Sequence, residues 1–256
     1  MTTFIPDLLR GKTAFIAGGT SGINLGIARS LARYGASVAV LSRSQDKVTA
    51  AVDELRTIGP RAEGYAADVR DFGAVQAAVT AAAAALGPLD IVVSGAAGNF
   101  VAPAAKLSSN GFKAVMDIDL LGTFHVCRAA YEVIRKPGGS IINISAPQST
   151  VVQPGQSHVS AAKAGIDMLT RSLALEWGPE GIRVNAIVPG PIDGTEGMAR
   201  LAPTAEARRA VEHLVPLRRY GTADEIGDMA LFLSSSAAAY VTGAIIYCDG
   251  GMVLGR

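Results

Sequence analysis

Lys163 lies in "SHVSAAKAG", residues 157–165, where its immediate neighbours are Ala161, Ala162, Ala164 and Gly165. A lysine on a solvated helix face usually keeps polar company; small neighbours point to close packing, with the ammonium aimed at a specific partner. A second chemical signal is "AGGTSGINLGIA", residues 17–28. Glycines at that spacing permit a tight turn and let backbone N–H groups approach a pyrophosphate at a helix N-terminus. A third is Ser42 and Arg43 in "VLSRSQ", at the end of an apolar run, where a site for NAD would place a carboxylate against the ribose 2′-hydroxyl. A carboxylate repels a 2′-phosphate, whereas a guanidinium binds it in bidentate fashion, so the expected cofactor is NADP(H). His125, His158 and His213 are scattered without metal-ligand spacing, and no metal site is expected.

These residues need a frame. Short apolar runs alternate with helical patterns along the whole chain: "TAFIAG", "SVAVLS", "AEGYAADV", "LDIVVSG", "GSIINIS", "IRVNAIVPG" and "AIIYCDGG" read as strands. Helical patterns separate them, including a long one through "GFKAVMDIDLLGTFHVCRAAYEVIRK". Strands apolar on both faces, each followed by a helix, predict an α/β fold: a doubly wound parallel sheet of Rossmann type with helices on both faces. No composition break divides the chain, so residues 1–256 are expected to form a single domain. Residues 190–221 are too long for an ordinary connection and follow the carboxyl end of a strand, where ligands bind in such sheets. They read as a substrate lid, with a tolerated surface insertion as the alternative.

Composition narrows the function. With 49% hydrophobic and 18% charged residues, a large buried core is expected. A net charge of +1 gives no footprint for nucleic acid and no polybasic membrane patch. No apolar run reaches membrane-spanning length. The opening "MTTFIPDLLRGK" lacks a signal-peptide core, the ending "MVLGR" is not a Ser-Lys-Leu type of address, and Cys127 and Cys248 suit small buried thiols; a cytoplasmic protein is expected.

The chain resembles the short-chain dehydrogenase/reductase family over nearly its whole length. The resemblance rests on Gly18, Gly22 and Gly26, on "ADV" at 67–69, on "RVNAIVPGPI" at 183–192 and on the terminal "VTGAIIYCDGG". It implies a cofactor site built from Gly18, Thr20, Ser21, Gly22, Ile23, Ser42, Arg43, Asp68, Val69, Gly95, Ala96, Lys163, Pro189, Gly190 and Ile192. Asp68 is placed near the adenine, Lys163 on the nicotinamide ribose, and Pro189 to Ile192 near the carboxamide. A homotetramer is implied by the same analogy. Asn24 stands where that loop usually carries a third glycine; asparagine tolerates left-handed backbone angles better than most residues.

The family's catalytic set is Asn, Ser, Tyr and Lys. Here Val159, four residues before Lys163, takes the tyrosine position, Ala146 the serine position, and Asp119 in "MDIDLLGTF" the asparagine position. Valine and alanine move no protons. This altered set, with "SGAAGNF" and "GPIDGTEGMARL", is similar to the peroxisomal-type 2,4-dienoyl-CoA reductases. The branch implies NADPH-dependent reduction of a 2,4-dienoyl-CoA to a 3-enoyl-CoA in unsaturated fatty acid breakdown, with acyl-CoA as partner. Hydride reaches C5, charge spreads as a dienolate onto the thioester oxygen, and no phenol is needed. Asp119 and Lys163 are expected to form a buried pair that orients a water as proton source. Asn99 or backbone N–H groups of "GAAGNF" would bind the thioester oxygen, Phe100 would pack along the acyl chain and Val159 would line the site. Two alternatives stand beside this: a short-chain oxidoreductase acting on a carbonyl or alcohol, with His158 as replacement donor, or a catalytically silent cofactor-binding protein.

Overall fold

The computed structural model describes residues 4–255. Seven strands form one sheet in the order β3-β2-β1-β4-β5-β6-β7. They are β1 (Thr13–Ala17), β2 (Ser37–Ser42), β3 (Ala62–Ala66), β4 (Ile91–Ser94), β5 (Ser140–Ile144), β6 (Arg183–Pro189) and β7 (Ile245–Cys248). Every pairing is parallel. The strand-by-strand expectation and the single-domain α/β class are both met.

Because each strand must be crossed back over, helices cover both faces. On one face α1 (Gly22–Arg33), α2 (Gln45–Ile58) and α9 (Ala223–Ser234) pack Ile27, Leu31, Val48, Leu55, Ile226 and Leu231 against Ile16, Val38, Val40 and Val93. On the other, α3 (Phe72–Leu86), α5 (Gly122–Tyr131) and α6 (Ser157–Trp177) bring Val75, Val79, Val126 and Leu173 onto Phe15, Val92, Ile141 and Val184. The segment between β6 and α9 carries two short helices, α7 (Glu196–Leu201) and α8 (Ala205–Leu214), each started by a threonine side chain, Thr195 or Thr204, accepting a backbone N–H.

One element departs from expectation. The long helix read through residues 111–136 is instead α4 (Ser109–Val115), a π-helical turn (Met116–Leu121) and then α5, which stops at Tyr131. A π turn holds an extra residue and shifts every later side chain around the helix axis, a change that apolar periodicity does not register.

Candidate active site

The chain runs outward from β1 in opposite directions, to β2 and β3 on one side and to β4 on the other. At that reversal the carboxyl ends of the strands open a crevice. A cavity of about 680 Å³ lies there, with walls from the β1–α1 turn (Ser21, Gly22, Ile23, Asn24), the β4 exit (Gly95, Ala97, Gly98, Asn99), the β5 exit (Ser145, Ala146, Pro147, Gln148, Gln153), α6 (Val159, Lys163) and the β6 exit (Pro189, Gly190, Pro191). Met198, Leu201, Val211 and Leu214 of α7 and α8 form an apolar cover. A second cavity of about 470 Å³ sits behind Ile192, Tyr247 and Cys248.

Asp119 and Lys163 meet at the floor. They are 1% and 6% exposed, and Asp119 Oδ2 lies 3.2 Å from Lys163 Nζ. The π turn aims the carboxylate inward; its Oδ1 accepts the Gly98 N–H at 2.7 Å. Lys163 Nζ donates to the Ile144 carbonyl at 3.2 Å. The contact between Oδ2 and the ammonium is close but poorly aligned, so Oδ2 accepts no hydrogen bond from the protein. An anionic oxygen beside a cavity, held by an ammonium yet free to accept, is suited to orienting a proton-bearing ligand. Val159, one helical turn before Lys163, is buried in the wall, and Ala146 lines the same cavity, so neither of these two positions offers a hydroxyl.

The phosphate turn has the features that an anion requires. Gly22 has φ +53°, and a Cβ built on it would find only Thr195 Cγ2, at 3.8 Å. Ser21 at the N-cap of α1 makes no side-chain cap, and the first turn holds no acid, so the helix's leading N–H groups are not taken by side chains. The left-handed residues are Gly18 and Gly22; Asn24 is helical. The tolerance of asparagine for left-handed angles is therefore not called on at this position.

At the far end of the crevice Ser42 closes β2, opposite Ala66 of β3, and Arg43 is exposed beyond it. Asp68 is gripped by Arg70 through its side chain and backbone N–H. Arg70 first, then more weakly Arg43, holds the Asp68 carboxyl below the usual carboxylate range, against its partial burial.

Not every singled-out residue converges on the cavity. Ser21, Gly22, Ile23, Gly95, Lys163, Pro189, Gly190, Asn99 and Val159 do. Gly18, Thr20, Ala96, Ser42, Arg43 and Asp68 lie outside its lining. Val69 is buried in the core, and Ile192 lines the second cavity. Phe100 is 41% exposed and its ring rests on His158, at 4.5 Å between centroids, rather than in the cavity wall. His158 is fully buried, with Nε2 at 3.1 Å from the Phe100 carbonyl, a packed histidine rather than a cavity-lining one. The Gly98 N–H, one of the backbone donors read as an oxyanion hole, is committed to Asp119. Gln148 and Gln153 were not singled out, although their loop follows the carboxyl end of β5, where such a sheet binds ligands. Among the described residues no cluster of His, Cys, Asp or Glu could hold a metal, and no helix is long and apolar enough to cross a membrane.

Residues 17–253 match the family model described as Enoyl-(Acyl carrier protein) reductase. The chain is 46% identical over 250 residues to a peroxisomal 2,4-dienoyl-CoA reductase [(3E)-enoyl-CoA-producing] of Pongo abelii, covering 97% of this chain and 86% of that protein. Among solved structures it is similar to a short-chain type dehydrogenase/reductase from Mycobacterium ulcerans, with a TM-score of 0.92, 32% identity, and 96% and 91% of the two chains covered. It is also similar to a gluconate 5-dehydrogenase from Burkholderia cenocepacia J2315 in complex with NADP and tartrate, with a TM-score of 0.89, 31% identity, and 97% of each chain covered.

Proposed function

The chain belongs to the short-chain dehydrogenase/reductase family, and we propose that within it the chain is an NADPH-dependent 2,4-dienoyl-CoA reductase producing a 3-enoyl-CoA in unsaturated fatty acid breakdown. The observation that carries this is the buried Asp119–Lys163 contact in a cavity where Val159 and Ala146 supply no hydroxyl. Ser21, Gly22 and Ile23 would hold the cofactor's pyrophosphate on the α1 N-terminus, Gly95, Pro189 and Gly190 would flank its nicotinamide half, and Arg43 would bind its 2′-phosphate. When bound, the cofactor supplies hydride to C5 of the dienoyl group.

The protein's part is to stabilise charge and deliver a proton. As the C4–C5 double bond is reduced, electrons move through C3–C4 and C2 onto the thioester oxygen. The Asn99 amide or a remaining backbone N–H of the β4 exit, such as that of Ala97, is the donor for that oxygen; the Gly98 N–H is in use. The Asp119–Lys163 pair orients a water lying against it on the cavity side. The water gives a proton to C2, which leaves the double bond at C3–C4; Lys163 restores the proton to the resulting hydroxide and regains its own from solvent when product leaves. Lys163 would also hold a ribose hydroxyl of the bound cofactor. The apolar cover from α7 and α8 acts as the lid that keeps bulk water out.

A homotetramer and a cytoplasmic setting belong to the same reading. The first is supported by Leu121, Phe124, Met168 and Leu175, exposed apolar side chains on the π turn, α5 and α6. The second is supported by the free thiols of Cys127 and Cys248.

The decisive assay follows NADPH absorbance with a 2,4-dienoyl-CoA and, separately, a 3-ketoacyl-CoA. Consumption with the dienoyl thioester alone is expected. Consumption with the ketoacyl thioester alone would favour a carbonyl reductase, and cofactor binding without turnover of either would favour a silent binding protein. Val159→Tyr should not create a ketone reductase, because Ala146 offers no hydroxyl partner. Forcing a ring into that packed wall costs about 1–3 kcal/mol of stability, and the ring competes with the acyl chain for space, so dienoyl-CoA turnover should fall. Efficient ketone reduction by this variant would show that the wall is not what excludes that chemistry.

A further inference from the structure

Asn24 has no part in the chemistry above, yet it sits in the cavity wall at 9% exposure. Its Nδ2 donates to the Gly95 carbonyl at 2.7 Å, across 71 residues of sequence. Its amide fills the gap between two turns. A Cβ built on Gly95 would lie 2.6 Å from Asn24 Cγ, and one on Gly18 would lie 3.1 Å from Nδ2. The β1–α1 turn and the β4 exit are thus joined by one side chain, and both are glycine where they meet it. Asn24 Oδ1 is buried without a hydrogen-bond partner, a cost that a merely structural residue has no reason to carry.

We propose that Asn24 is a positioning residue for the cofactor: its amide latches the phosphate turn to the β4 exit and holds that glycine-rich turn in its binding shape before the cofactor arrives. The inference rests on the reading that this turn binds a nicotinamide cofactor. Without the latch, Gly18 and Gly22 leave the turn free to sample other shapes, and binding must then order it. The Asn24–Gly95 contact is also reciprocal. Room for the amide exists because residue 95 lacks a side chain, so the two positions are coupled.

The test measures cofactor binding to the protein without substrate. NADPH and NADH are titrated into the unaltered chain, Asn24→Gly, Asn24→Asp, Gly95→Ala and the Asn24→Gly/Gly95→Ala double variant, with thermal melting and amide exchange of residues 18–24 followed in parallel. Asn24→Gly should raise the Kd of the preferred cofactor about 5–10-fold, the worth of one hydrogen bond. Amide exchange in the turn should quicken, with little change in Tm or in KM for the acyl thioester. Asn24→Asp keeps the shape but sets a carboxylate against the Gly95 carbonyl, so it should bind at least as weakly. Gly95→Ala should lower Tm alone and lower it less when Asn24 is glycine; the coupling is read from melting because residue 95 also flanks the cofactor site. Unchanged Kd in both Asn24 variants, or no relief of the melting loss in the double variant, would overturn the latch. If the unaltered chain bound neither cofactor, the cofactor reading itself would fall and the latch with it. Cofactor binding without dienoyl-CoA turnover would refute only the substrate assignment.

Discussion

Asp119→Ala and Lys163→Ala are each expected to lower dienoyl-CoA turnover by about 10²–10⁴-fold, the range for removing a positioned acid–base group. The double variant should lose little more than either single one, because two groups that hold one water act as a unit. The structure adds a complication. Both partners are buried, and removing one leaves the other as an uncompensated charge, which costs about 3–5 kcal/mol of stability. Asp119→Asn removes the packing part of that cost but not the charge part, since Lys163 is left uncompensated. The amide can still accept the Gly98 N–H and fills the same volume, but it carries no charge. Loss of turnover in a variant that melts near the unaltered protein and still binds cofactor would be the signature of chemistry. Near-normal turnover in Asp119→Asn or Asp119→Ala would refute delivery by an oriented water. Steady-state kinetics with melting curves decide between these.

Exchanging Arg43 for Asp should reverse the cofactor preference. The guanidinium is exposed at the end of β2, with room to meet a 2′-phosphate. A charge-assisted hydrogen bond is worth about 1.5–3 kcal/mol, so kcat/KM with NADPH should fall by about 10–150-fold. The new carboxylate would repel the phosphate and could accept the 2′-hydroxyl of NADH, raising efficiency with that cofactor. Arg70 does not replace Arg43, because its guanidinium is already engaged by Asp68. Equal efficiency with the two cofactors in the unaltered protein would remove the basis for this prediction.

The frame was legible in the sequence because each strand is an apolar run long enough to be buried on both faces, and the helices between them repeat at the right period. The phosphate turn was legible from its place between a strand and a helix. Other parts depend on geometry that no local pattern encodes. The π turn keeps an apolar rhythm while rotating the following side chains, so the break at Met116–Leu121 left no trace in periodicity. Phe100 and Asn99 are adjacent, but only the asparagine faces the cavity, because the Phe100 ring is taken up by His158. Gln148 and Gln153 lie in a polar loop whose composition suits plain solvent exposure, and only the sheet topology brings them to the crevice. Asn24 read as a backbone problem; in the structure its side chain is what matters, through a partner far along the chain.

The strand order also governs when this cavity can exist during synthesis. β1 pairs with β2 at once, but its other neighbour, β4, places Ile91 opposite Ala14, and the walls run from Ser21 to Met252. A nascent chain carrying only β1 to β4 has the phosphate turn but no Lys163, and β4 is then an open parallel edge awaiting β5. Such non-local pairing is slow, and the unpaired edge is the surface on which partly made chains associate. A ligand that fills the whole cavity can stabilise only the finished sheet, so it protects the protein after synthesis and gives no help to the half-built one.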